Sequence, residues 1–169
     1  VRPEAILEID GKPYEVGGLK GQPNQAFLME DWLSTLKSNP DSFVYKGFRA
    51  GKVLNRVPWK NKRSSSNPSY PPPGISLNLS FEHPKLPGIQ VHVIYELLDG
   101  LPVFTKRVEV QNQTAKAIRI SRFTSEILAM VEPESIVETT GEWRQPNLTI
   151  ATDYSFGGMA QTNSNRTAN

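Results

Sequence analysis

Four glutamates lie beside apolar stretches of the sequence: Glu96, Glu126, Glu132 and Glu134. Hydrolysis of a glycosidic bond needs two carboxyl groups facing each other across a sugar. Glu126, in Thr124-Ser125-Glu126-Ile127-Leu128-Ala129-Met130, is a candidate for partial burial, yet nothing in the sequence pairs it with a second carboxylate. The plainer expectation is a strand-edge acid matched to Arg119 or Arg122. Sugar epimerisation needs a histidine acid and a carboxylate base aimed at one ring. His92 lies mid-strand in Gln90-Val91-His92-Val93-Ile94, and His83 precedes Pro84 in a turn. Both read as structural or surface residues, and no Ser-His-Asp arrangement can be argued from them. Gly17, Gly18 and Gly21 follow a G-G-x-x-G spacing that fits no phosphate-binding fingerprint. The sequence therefore predicts no catalytic residue.

Binding chemistry is the better prospect. Trp59 is followed by Lys60-Asn61-Lys62-Arg63, and Trp143 stands in Thr139-Thr140-Gly141-Glu142-Trp143-Arg144. An aromatic face stacks on the apolar face of a sugar ring, and adjacent cations donate hydrogen bonds to hydroxyls. Trp59, Lys60, Arg63 and Trp143 are the candidate carbohydrate contacts; the competing reading of each is a solvated loop. Trp32 is expected to pack.

Composition removes other classes. There is no cysteine, so neither disulfides nor thiolate metal sites exist, and two histidines give little basis for zinc. No metal and no cofactor are expected. A formal charge of +2 gives no reason to expect nucleic acid. No apolar run approaches the roughly 18–20 residues of a membrane-spanning helix, so no membrane partner is expected. The chain begins at Val1, which reads as loss of an upstream segment. A lost signal would make the protein secreted or periplasmic; otherwise it is cytoplasmic. Asn78, Asn112, Asn147 and Asn165 each head an Asn-x-Ser/Thr sequon.

The elements that must position these residues read as strands. Fourteen prolines and twelve glycines favour strands and turns over long helices. Ala5, Leu7 and Ile9 alternate with polar or outward positions, and Asp10-Gly11 supplies a turn into a second short strand. Residues 24–36 are ambiguous between a short helix capped by Asn24 and an irregular covering segment. Strand character returns over 42–53. A long loop follows, ending in Tyr70-Pro71-Pro72-Pro73-Gly74. Residues 75–81 alternate Ile75, Leu77, Leu79 and Phe81 against Ser76, Asn78 and Ser80. Val91, Val93, Tyr95 and Leu97 share one face of 89–98; Asp99-Gly100 then turns the chain into 101–110, the clearest hairpin. Further strands are expected over 118–131, 135–140 and 147–154. This spacing predicts an all-β antiparallel β-sandwich over 1–154, with under about 15% helix. Residues 155–169 read as a polar tail, a linker or a truncation point.

Several stretches resemble a known family. Val93-Ile94-Tyr95-Glu96-Leu97-Leu98-Asp99-Gly100-Leu101-Pro102-Val103, Lys106-Arg107-Val108-Glu109-Val110-Gln111-Asn112 and Glu126-Ile127-Leu128-Ala129 resemble the N-terminal domains of bacterial alpha-galactosidase-like glycoside hydrolases. Pro71-Pro72-Pro73-Gly74 before a strand is similar to a Pro-Pro-x-Gly element of those domains. The resemblance covers roughly residues 40–155 and implies a supersandwich of the galactose mutarotase-like type. In such enzymes the catalytic carboxylates lie on a following (β/α)8 barrel, and nothing here resembles a barrel. The histidine and glutamate motifs of the mutarotases find no match. The resemblance implies a non-catalytic domain whose partners are the catalytic barrel of the same parent chain and a carbohydrate. Its alternatives are an independent carbohydrate-binding module and a mutarotase-like epimerase.

Overall fold

The computed structural model describes residues 2–21, 29–54 and 71–126. Over these the chain is all-β, built of antiparallel sheets, and its helical content is one 3-10 turn at Glu30–Thr35. Strands β1 (Ala5–Ile9) and β2 (Lys12–Val16) form the first hairpin. Asp10 and Gly11 both adopt positive φ, 49° and 79°, the combination a two-residue hairpin turn demands and Asp-Gly tolerates. Ala5, Leu7 and Ile9 are buried in strict alternation, as their spacing predicts. A short ribbon of β3 (Leu19–Lys20) and β4 (Lys37–Ser38) flanks the 3-10 turn. Met29 occupies the cap position of that turn, and Trp32 within it is half-buried; Asn24 lies outside the described residues.

Strands β5 (Val44–Lys52), β6 (Gly74–Glu82), β7 (Ile89–Leu98) and β8 (Phe104–Asn112) form a four-stranded antiparallel sheet in chain order. The expected β7–β8 hairpin is present, from Ile89↔Asn112 to Leu97↔Phe104. Its second strand begins at Phe104, three residues later than the sequence suggests. Pro102 has no N–H to give the ladder, so Leu101 and Val103 bond within the turn, to Leu98 and Leu101 carbonyls. Strand β9 (Ile120–Thr124) crosses back to pair with β1, giving a three-stranded sheet of order β2-β1-β9. Asp10 holds that return at both ends of one peptide. Its N–H donates to the Arg119 carbonyl, and its side chain accepts from the Arg119 N–H.

One apolar core joins the two larger sheets. Ala5, Leu7, Ile9 and Val16 meet Phe81, Ile89, Val91 and Val93, with Phe43 wholly buried between them. Each such fully buried side chain contributes about 1.5–3 kcal/mol. His83 belongs to this core: its ring stands edge-on to Tyr14 at 5.0 Å and to Phe43 at 5.3 Å. Its Nδ1 accepts the Lys85 N–H, closing the turn that Pro84 begins. The expected strands over 127–131, 135–140 and 147–154, the loop at 64–70 and the tail 155–169 lie outside the described residues.

Candidate functional site

The register of the four-stranded sheet separates two faces. On one, Phe81↔Val91↔Val110 and Leu79↔Val93↔Val108 form successive rows that pack on the core. The same face continues through Leu77↔Tyr95↔Lys106 to Ile75↔Leu97↔Phe104. Here burial ends: Ile75 and Phe104 are each 65% exposed, and Leu77, Leu97 and the edge residue Phe48 are exposed as well. The outermost row is thus apolar across three adjacent strands and open. Phe104 stacks on Tyr95, ring centroids 5.2 Å apart, which fixes it at the surface.

The opposite face is polar. Its rows are Ser80↔His92↔Glu109, Asn78↔Ile94↔Arg107 and Ser76↔Glu96↔Thr105. His92 Nδ1 lies 3.1 Å from Asn78 Oδ1 and 3.3 Å from Ser80 Oγ. An amide oxygen only accepts, so Nδ1 is the donor toward Asn78. Arg107 Nε donates to Glu109 Oε1 at 2.9 Å, and Thr105 donates to Glu96 Oε2 at 3.4 Å. Among the described residues, the buried atoms His92 Nε2, Glu96 Oε1 and Arg107 Nη2 on this face have no hydrogen-bond partner. Glu96 is 8% exposed and Ile94 only 1%, although Ile94 is not part of the core cluster. Unpaired buried polar groups are costly, about 1–3 kcal/mol each, which makes this the most chemically demanding surface of the sheet.

A third cluster ties the sheets together beside the open apolar row. Lys106 Nζ donates to Glu126 Oε2 at 2.8 Å and to the Glu4 carbonyl at 2.7 Å, and lies 3.2 Å from Glu4 Oε2. Tyr95 donates its hydroxyl to Glu4 Oε2, and its ring centroid lies 5.6 Å from the ammonium. Burial first, then the hydrogen bond to Glu4 and the charges of Glu4 and Glu126, push the Tyr95 phenol well above its ordinary value of 10.0. Glu126 thus stands near a second carboxylate, Glu4, which its sequence neighbourhood does not disclose. The two carboxylates face one shared ammonium, which links the chain ahead of β1 to the chain behind β9.

Of the expected site residues, Trp59, Lys60, Arg63 and Trp143 all lie outside the described residues, as do Glu132 and Glu134. His83 and His92 stand far apart in role, one in the core and the other on the polar face. Among the described residues no group of three or more metal-ligating side chains occurs, and no helix is long and apolar enough to cross a membrane. Arg107, Thr105 and the burial of Glu96 are what sequence reasoning passes over. The only available signal is that they alternate with Lys106, Val108 and Tyr95 on neighbouring strands. No protein-family model, curated protein or solved structure matches the chain.

Proposed function

We propose that this chain is a non-catalytic N-terminal β-sandwich domain, of the supersandwich type, from an alpha-galactosidase-like glycoside hydrolase, and that it packs on the catalytic barrel of the same parent chain. The observation that carries this reading is the open row Ile75, Leu97 and Phe104, with exposed Leu77 in the next row. Neighbouring strands lie about 4.8 Å apart, so the row forms a continuous apolar strip across three strands. Contiguous apolar surface of this kind marks an interface. The residues proposed to contact the carbohydrate are Trp59, Lys60, Arg63 and Trp143.

The test uses the parent protein carrying Ile75→Thr and Phe104→Ser. Amide protection in β6 and β8 should fall in the variant parent, while the isolated chain should lose only the Tyr95 stack, about 0.5–1.5 kcal/mol by urea unfolding. Equal protection in parent and variant would remove the docking role. The isolated chain should neither hydrolyse aryl galactosides nor speed anomer exchange; turnover abolished by Glu126→Gln or His92→Ala would show it to be an enzyme.

The polar face favours a second reading, an independent carbohydrate-binding module. Arg107, whose side chain is 34% exposed, is then the group that meets hydroxyls. Saturable binding of oligosaccharides by the isolated chain, weakened by Arg107→Leu, would select this reading over the first.

A further inference from the structure

Two of the four sequons fall among the described residues, and the fold treats them in opposite ways. Asn78 is in the middle of β6, an interior strand paired on both sides, in register with Arg49 and Ile94. Its side-chain oxygen is engaged by the His92 ring. Asn112 ends β8, where the chain leaves the sheet, and residues 111–117 are all exposed.

The local geometry at Asn112 is that of an Asx turn. Asn112 Oδ1 accepts the Thr114 N–H at 3.0 Å and the Thr114 hydroxyl at 2.7 Å. The amide nitrogen donates one hydrogen to the Lys116 carbonyl at 2.7 Å. An amide carries two such hydrogens, so one remains for reaction. The sequon's asparagine and threonine are thus held together, with the amide nitrogen on an exposed bend.

We propose that Asn112 is an acceptor for an N-linked glycan, and that Asn78 is not. The donor class is a lipid-linked oligosaccharide diphosphate, presented by an oligosaccharyltransferase. Asn112 Nδ2 attacks C1 of the donor's first sugar, forming the N–C1 bond. The C1–O bond to the diphosphate breaks and its electron pair leaves with the lipid diphosphate. The amide nitrogen gives up one proton to a base of the transferase. No oxidant or reductant is required.

The position suits a bulky, water-seeking attachment. Asn112 and Phe104 are at opposite ends of the nine-residue β8. At about 3.3 Å per residue the glycan would stand some 26 Å from the open apolar row. The inference is independent of the docking reading, and a glycan there leaves that surface clear.

The experiment is secretion of the chain from a eukaryotic host, followed by site-resolved peptide mass spectrometry with and without an amide-cleaving glycosidase. The peptide holding Asn112 should be occupied and that holding Asn78 bare. Asn112→Gln, and separately Thr114→Val, should abolish this occupancy, while Asn78→Gln leaves it unchanged. An unmodified Asn112 in the folded, secreted wild-type chain would overturn the proposal. So would occupancy at Asn78 equal to that at Asn112.

Discussion

Replacing Lys106 with Met keeps the side-chain stem and removes the ammonium that joins β8 to the chain ahead of β1 and behind β9. Lys106 is well covered, its side chain 12% exposed, whereas Glu4 is 29% and Glu126 47% exposed. A hydrogen bond to a charged group contributes about 1.5–3 kcal/mol net, and the contacts to Glu4 fall in that class. The half-exposed pair with Glu126 adds at most about 1 kcal/mol. A loss of about 2–3 kcal/mol is therefore expected at neutral pH. In a chain of 169 residues that lowers Tm by roughly 4–12 °C. Urea unfolding followed by circular dichroism reads the loss directly. A double-mutant cycle then apportions it: Lys106 should couple more strongly to Glu4 than to Glu126, measured with Glu4→Gln and Glu126→Gln. A loss below about 0.5 kcal/mol, the range of ordinary surface substitutions, would refute the assignment. A larger coupling to Glu126 would refute the ranking by exposure.

Two further outcomes follow from the same surroundings. Because Tyr95 is held protonated in the folded state, the unfolded chain loses its phenolic proton first. The stabilisation is whole below about pH 10 and declines as pH rises from there through the folded value. Tyr95→Phe should flatten that alkaline decline in urea midpoints; identical slopes in both proteins would contradict it. Gly74→Ala would set a Cβ 2.2 Å from the Leu97 carbonyl oxygen and 3.1 Å from Leu98 Cα, both backbone atoms of the paired strand. Since backbone must move, a destabilisation of about 1–3 kcal/mol or more is expected by thermal melting, and a neutral result would show that β6 starts elsewhere.

Alternation made the strands legible. Ala5, Leu7 and Ile9, and then Val91 and Val93, are buried at every second position because one face of each strand meets the other sheet. The two Asp-Gly turns were legible for a local reason, the positive φ at both central residues of the first and at Gly100 in the second. Ser76, Asn78 and Ser80 share the side opposite Ile75, Leu77, Leu79 and Phe81, and Ser76, Ile94 and Glu96 on that side are buried. Alternation tells which residues share a side and says nothing of how much water each side sees. The partner of Glu126 was illegible because Lys106 lies on another strand and Glu4 near the other end of the described chain. The sequence offers Arg119 and Arg122 as the local partners of Glu126, whereas Lys106 reaches it from another strand. The sugar-contact candidates were chosen by residue type, which places no side chain.

The pairing of β1 with β9 sets the order in which this molecule can be finished. Glu8 and Ser121, hydrogen-bonded across that pair, are 113 residues apart. At about 5–20 residues per second, a ribosome needs roughly 6–23 s to make the intervening chain. The β1–β2 hairpin is born first and closes in about 1–10 μs, yet one long edge of β1 waits out that interval without its neighbour. Its inward residues Ala5, Leu7 and Ile9 wait too, since Phe81, Val91 and Val93 come later. The nascent protein is therefore exposed to wrong strand pairing at β1, and a holding chaperone that grips short alternating apolar segments has its target in Ala5–Ile9.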